Sequence, residues 1–146
     1  MEIPASLNCK GRLLQLSGPI VMGILNATPD SFYNQGNDSQ ASQLLALAGK
    51  MLQEGATILD IGGMSTKPGA TTLSASEEMD RLLPVIETIR KHFPECTISA
   101  DTFRSEVADQ APMAGADIIN DISGAEWEPE ILNVAAKYRA PYIAMH

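Results

Sequence analysis

The sequence predicts an α/β fold in which strands and helices alternate, a (β/α)8 TIM barrel of which the chain supplies about the first five strands and four helices. Three observations carry this. Short apolar, β-rich runs recur along the chain; amphipathic helical segments fill the gaps between them; and each run ends on a polar residue. Strands alternating with helices lie parallel with right-handed crossovers, which leaves an open doubly wound sheet or a closed barrel. No run is followed by the Gly-x-Gly-x-x-Gly turn of a dinucleotide fold, and polar residues at C-terminal strand ends are where barrels build their sites.

The first run, residues 20–26, has the length and type of a strand covered on both faces, and it stops being hydrophobic at Asn26. The stretches "EGATILDIGG", "CTISADT", "AGADIINDISG" and "YRAPYIAMH" supply the other four. Their polar ends are Asp60, Asp101, Asn120 with Asp121, and His146. Between them, "SQASQLLALAGKMLQEG" places Leu44, Leu47, Ala48 and Met51 on one helical face, with Gly55 where a helix commonly closes. "SASEEMDRLLPVIETIRKHF" opens with Ser74 and Glu77 at capping-box spacing and buries Leu82, Leu83, Ile86, Ile89 and Phe93, with a kink expected at Pro84. "TFRSEVADQAPMAG" is limited by Pro112, and "EPEILNVAAKY" carries Pro129 near its first turn with Ile131, Leu132 and Ala135 inward. Residues 1–19 form a hairpin-like segment before the barrel portion at 20–146.

With 146 residues, 45% of them hydrophobic, the chain can bury one ordinary core. A net charge of −8 argues against a nucleic-acid surface or an anionic membrane as partner. Cys9 and Cys96 have neither CxxC spacing nor histidines placed to complete a metal site, which fits a reduced, cytoplasmic protein. The N-terminus has no basic region followed by a long apolar stretch, and no run approaches membrane-spanning length, so neither export nor a span is expected.

Asp101 and Asn120 are short side chains expected at neighbouring strand ends. A carboxylate acceptor beside an amide that both donates and accepts suits a flat heterocycle with an amino-pyrimidine edge. Taken singly, either residue could equally cap the next helix; five polar ends together point to a site. "DIGGMSTKPGA" offers glycines, Ser65, Thr66 and Lys67 as a phosphate cradle, although Gly-Gly after a strand often has a steric reason. His92 is explained by a helix C-terminus, Trp127 and Tyr138 by packing of helix on sheet, and neither histidine pairs with a nucleophile as a triad requires.

"MGILNATPDSF", "DIGGMSTKPGA", "ADTFRSEVA", "IINDISG" and the closing "MH" together resemble the successive motifs of the dihydropteroate synthase family of the folate pathway. The resemblance implies a barrel transferase that joins 6-hydroxymethyl-7,8-dihydropterin diphosphate to p-aminobenzoate with the help of Mg²⁺ and releases diphosphate. By motif position, Asn26 coordinates Mg²⁺ or diphosphate, Asp101 and Asn120 hold the pterin edge, and Met145 packs on the pterin. Thr66 and Lys67 lie near pterin and diphosphate, Phe32 and Pro68 shape the aminobenzoate and sulfonamide pocket, and Asn34 lies in the loop facing the reacting centre.

The family usually has Arg at Lys67, Asp at Asn34 and Glu at Met64. Lysine cannot make the bidentate grip of a guanidinium, and Asn34 removes a carboxylate. The family's later Asp, Ser-Arg-Lys and Arg-x-His motifs have no counterpart within residues 1–146, so the chain alone is expected to be inactive. Small-molecule substrates are the expected partners, with a homodimer for the full-length protein. The alternatives are a methyltetrahydrofolate–corrinoid methyltransferase module, which would share the Asp101 and Asn120 contacts, and a non-catalytic remnant of the synthase.

Overall fold

The computed structural model describes residues 6–27, 38–64 and 73–145. Among these, an antiparallel hairpin of β1 (Ser6–Cys9) and β2 (Arg12–Gln15) precedes a parallel sheet of β3 (Val21–Asn26), β4 (Ala56–Gly62), β5 (Thr97–Asp101), β6 (Ile118–Asp121) and β7 (Tyr142–Ala144). Helices α1 (Asp38–Gln53), α2 (Ala75–His92), α3 (Ser105–Ala114) and α4 (Ile131–Tyr138) separate successive strands of that sheet. The five strands stand side by side in chain order. A doubly wound sheet reverses its strand order at a switch point; this one does not, and sequential order is that of a (β/α)8 barrel.

Alternation along each strand divides the sheet into two faces. Leu25, Leu59, Ile61, Ile98 and Ala100 face the helices, where they meet Leu44, Ala48, Leu82, Ile86 and Val107 in the main core. A second cluster under α3 and α4 joins Ile119 to Ala108, Ile131 and Ala135, with Tyr142 packed on it. Met22, Ile58, Ile118 and Ile143 point to the opposite face and are covered by Leu7, Cys9 and Leu14 of the hairpin. The hairpin turns at Lys10 and Gly11, both at positive φ, the primed geometry of a two-residue loop. It is tied down at Asp117, whose buried carboxylate accepts from Arg90 Nη2 at 2.6 Å, Ile98 N at 2.9 Å and Arg12 Nη2 at 3.4 Å. Lys10 Nζ donates to the carbonyl oxygen of Pro112.

The start of α2 forms as its capping-box spacing indicates. Ser74 Oγ accepts from Glu77 N at 3.2 Å while Glu77 Oε2 accepts from Ser74 N at 2.8 Å, so the capping box satisfies two donors at the start of α2. Gly55, at φ +108°, follows the end of α1. Pro84 lies inside α2 without ending it, and α3 runs two residues past Pro112.

Several expectations need correction. Leu47 is 46% exposed and Leu132 47%. The buried stripe of α1 is centred on Leu44 and Ala48, with Leu45 and Leu52 partly buried beside them, and that of α4 on Ile131 and Ala135; Leu47 and Leu132 each lie on a flank of their stripe. Trp127 does not pack helix on sheet: it is 61% exposed and meets Phe103 edge-on, with ring centres 4.9 Å apart. Tyr138 lies beneath Lys137 Nζ, and the aromatic packed on the sheet there is Tyr142. β3 is covered on its helix face, and on the other face by the hairpin at Met22 but not at Ile24. It is an edge strand of the described sheet, and Ile24, on its other face, is 63% exposed. β4 runs two residues past Asp60, to Gly62. No helix among the described residues is long and apolar enough to cross a membrane.

Candidate functional site

Register lines up one polar row across the C-terminal ends of the strands: Asn26 beside Gly62, Gly62 beside Asp101, Asp101 beside Asn120, and Asn120 beside Ile143. One step deeper on the same face lies the row Ile24, Asp60, Ser99 and Ile118. The structure thus brings Asp101 and Asn120 together as neighbours on adjacent parallel strands.

Neither residue caps a helix. The loop before α3 is organised by Thr102 Oγ1, which accepts from Arg104 N at 3.1 Å, and by Glu128 Oε2, which accepts from Ser105 N at 2.8 Å. The turn after β6 is organised by Asp121. Its carboxylate faces the helices and accepts from Ser123 N and Oγ, both at 2.8 Å, Ala125 N at 2.9 Å and the Tyr142 hydroxyl at 2.7 Å. Burial opposes charge on Asp121, but these donors hold its carboxyl below the usual range. Asp121 is therefore a structural acid, while Asp101 and Asn120 are left to the other face.

Gly62 makes room for Asp101. A Cβ on Gly62 would come within 3.2 Å of Asp101 Oδ2, and one on Gly63 within 3.0 Å of the Glu78 carbonyl oxygen, so both glycines of "DIGG" have steric reasons. Residues 65–72, on which the phosphate-cradle reading rests, lie outside the described residues, and with them Thr66, Lys67 and Pro68. Phe32, Asn34 and His146 also lie outside. Asn26 is exposed at the end of β3, and Met145 is exposed just after β7, its N–H donating to the Asp121 carbonyl oxygen at 3.1 Å.

The site is electrostatically strained. Burial, reinforced by the nearby carboxyls of Asp60, Glu78 and Asp121, pushes Asp101 up to about 7. Burial also raises Asp60, with Ser99 and Asn120 pulling it back, and raises Glu78, with Thr102 and Arg104 pulling it back. Glu78, fully buried, has Arg104 Nε 3.6 Å away. Sequence reading singled out neither Glu78 nor Ser99, and gave Asp60 no role beyond a strand end. A signal existed for Glu78: it shares one buried stripe with Leu82, Val85, Ile86 and Ile89, where an acid is out of place.

Residues 22–146, the span that carries this carboxyl and amide, match the model of a family described as pterin binding enzymes. The chain belongs to the pterin binding enzyme family. It is 54% identical over 126 residues to the dihydropteroate synthase of a Synechocystis strain, covering 86% of this chain and 43% of that protein. To the Bacillus subtilis dihydropteroate synthase it is 47% identical over 143 residues, covering 98% of this chain and 48% of that one. Among solved structures, Xanthomonas albilineans dihydropteroate synthase with 4-aminobenzoic acid superposes with a TM-score of 0.85 at 42% identity, over 97% of this chain and 51% of that one. The chain therefore spans about half the length of these family members.

Proposed function

We propose that the chain carries the pterin-recognising part of a dihydropteroate synthase, the folate-pathway transferase that condenses 6-hydroxymethyl-7,8-dihydropterin diphosphate with p-aminobenzoate. The reading rests on Asp101 and Asn120, paired in register and free of capping duties. In this reaction the bond from the pterin methylene to diphosphate oxygen breaks, the aromatic amine forms the new C–N bond and loses a proton, and diphosphate leaves. Asp101 accepts from donors on the pterin edge, and Asn120 meets the amino-pyrimidine edge beside it. Met145 packs against the ring; Thr66 and Lys67 approach the diphosphate, Asn34 the reacting centre, and Phe32 and Pro68 the aminobenzoate pocket. Support comes from the relatives' ligands: 7,8-dihydropteroate with the Xanthomonas enzyme, and a sulfonamide drug with the Yersinia pestis enzyme.

Asn26 supplies one neutral oxygen, and among the described residues no group of three or more His, Cys, Asp or Glu could hold a metal. That donor set fits a Mg²⁺ carried in on the diphosphate, whose oxygens bring the negative charge, better than a resident ion. Bound so, Mg²⁺ would neutralise charge on the leaving group. Two buried free thiols, Cys9 and Cys96, fit a reducing cytoplasm. The chain spans about half the length of the relatives it matches, so the condensation is proposed for a protein of their full length.

A condensation assay on the full-length gene product, with calorimetric titration of pteroic acid, tests the proposal. Dihydropteroate should form, and Asp101→Asn should weaken pteroic acid binding roughly tenfold, because a mispaired buried acceptor costs about 1–3 kcal/mol. A folded protein that neither condenses the substrates nor binds pteroic acid would sink it.

A further inference from the structure

Asp60 lies 4% exposed in the deeper row, and among the described residues no cation is bonded to it and its Oδ1 has no hydrogen-bond partner. An acid buried this way costs stability, and replacing such a group by an apolar one of similar volume is often neutral or stabilising. Its one side-chain hydrogen bond in ordinary geometry is received from Asn120: Nδ2 donates to Asp60 Oδ2 at 3.1 Å, across the intervening strand β5. That contact decides which way the Asn120 amide faces. A carboxylate only accepts, so the NH2 end must turn towards Asp60 and the carbonyl end away. Asn120 Oδ1, turned away, is buried and has no partner among the described residues. A buried carbonyl oxygen that no described residue pairs, set in a polar row, is an acceptor that a ligand N–H can meet.

We propose that Asp60 is a positioning residue: by receiving Asn120 Nδ2–H it fixes the amide in one of its two orientations, so that a ligand meets a set order of carbonyl oxygen and remaining N–H. The inference rests on the pterin reading of Asn120. Without Asp60 the inward NH2 loses its acceptor, the reversed amide with its NH2 turned out becomes favoured by about ten to one, and most molecules must turn it back before a ligand donor can be met. Ser99 stands beside Asp60 in register and pulls its raised pKa back, and its Oγ makes no hydrogen bond to Asn120.

A double-mutant cycle on the full-length gene product tests this, with pteroic acid affinity read by calorimetry and folding by thermal melting. Asp60→Leu, close in volume and without an acceptor, should lower affinity roughly tenfold while the melting temperature holds or rises. In an Asn120→Ala background the same substitution should change affinity less than about twofold, because its effect runs through Asn120. Equal losses in both backgrounds, or no loss in the first, overturn the proposal. Asn120→Ala alone separates the two readings: if it leaves affinity unchanged, the pterin reading of Asn120 fails, whereas loss there with additive behaviour at Asp60 overturns only the positioning role. Should Asp60→Leu fail to fold, Asp60→Asn keeps the volume and can still accept in one of its own orientations. It should then give a smaller loss that again vanishes in the Asn120→Ala background, and a loss that persists there overturns the role.

Discussion

Gly62 stands directly opposite Asp101 across β4 and β5, and a side-chain carbon at Gly62 would come within 3.2 Å of Asp101 Oδ2. The close approach lets the carboxyl lie over bare backbone. Gly62→Ala should therefore push the Asp101 side chain aside by a few tenths of an ångström without breaking the strand pairing. The expected result is a loss of pteroic acid affinity of roughly three- to tenfold with a change in stability below about 1 kcal/mol, since one added methyl on a partly exposed row is mild overpacking. Titration calorimetry and thermal melting of the variant read the two quantities separately. Unchanged affinity would mean that the carboxyl does not need this position.

Asp101 also makes the fold pH-dependent. Its carboxyl is pushed up to about 7 from 3.8 by burial first, then by Asp60, Glu78 and Asp121, so between those pH values the folded chain holds a proton that the unfolded chain has lost. This group's contribution to stability therefore falls as pH rises through that window and is flat above it. Asp101→Asn removes the titration. Melting temperatures at pH 5 and pH 8 should show the variant gaining on the parent at the higher pH, and a pH-independent difference would contradict the raised value. Ligand donors favour the ionised form, so pteroic acid affinity should drop as pH falls below about 7 in the parent and stay level in Asp101→Asn.

At the opposite end of the sheet, Asp117 holds hairpin, α2 and β5 together through Arg12, Arg90 and the Ile98 N–H. Asp117→Ala leaves the Arg90 guanidinium without its carboxylate in a partly buried place and should cost on the order of 3 kcal/mol. Arg12→Ala, at a more exposed and longer contact, should cost about 1 kcal/mol or less. Chemical denaturation gives both values. Neither substitution should alter pteroic acid affinity, because this cluster lies at the far end of the strands from the Asp101 row.

The strand order, the helix starts and the pairing of Asp101 with Asn120 were legible because each has a local cause: apolar runs with polar ends, a capping box at Ser74, and one strand end after another. What lay hidden depends on register and on helix phase. Asp60 reads as the last residue of its run, and only the pairing of β4 with β5 shows it one row deeper, within reach of Asn120. Leu47 and Leu132 belong to apolar clusters in sequence, but a few tens of degrees around the helix axis put them in the open. Glu78 stands in phase with the apolar stripe of α2, a signal of burial present in the sequence, but its nearness to Asp101 and Arg104 shows only once α2 lies against the sheet.

The same register separates the two adjacent polar residues of "INDISG", an amide and an acid. Asn120 faces the site row, so Asp121 must face the helices, where it gathers four donors from Ser123, Ala125 and Tyr142. Tyr142→Phe deletes one of these and should cost about 1.5 kcal/mol, the usual value for a hydrogen bond to a charged group. Asp121→Ala strands all four and should cost at least twice as much, by loosening the turn after β6 and the seat of β7 together. Burial and the Asp121 carboxylate raise the Tyr142 hydroxyl well above its usual pKa, so the phenolate should be absent in the folded chain even in strongly alkaline buffer and appear only on unfolding, as read by ultraviolet difference absorbance. If Tyr142→Phe melts like the parent, or if before unfolding the parent shows a tyrosinate signal that Tyr142→Phe lacks, the Asp121 to Tyr142 bond does not hold β7 in place.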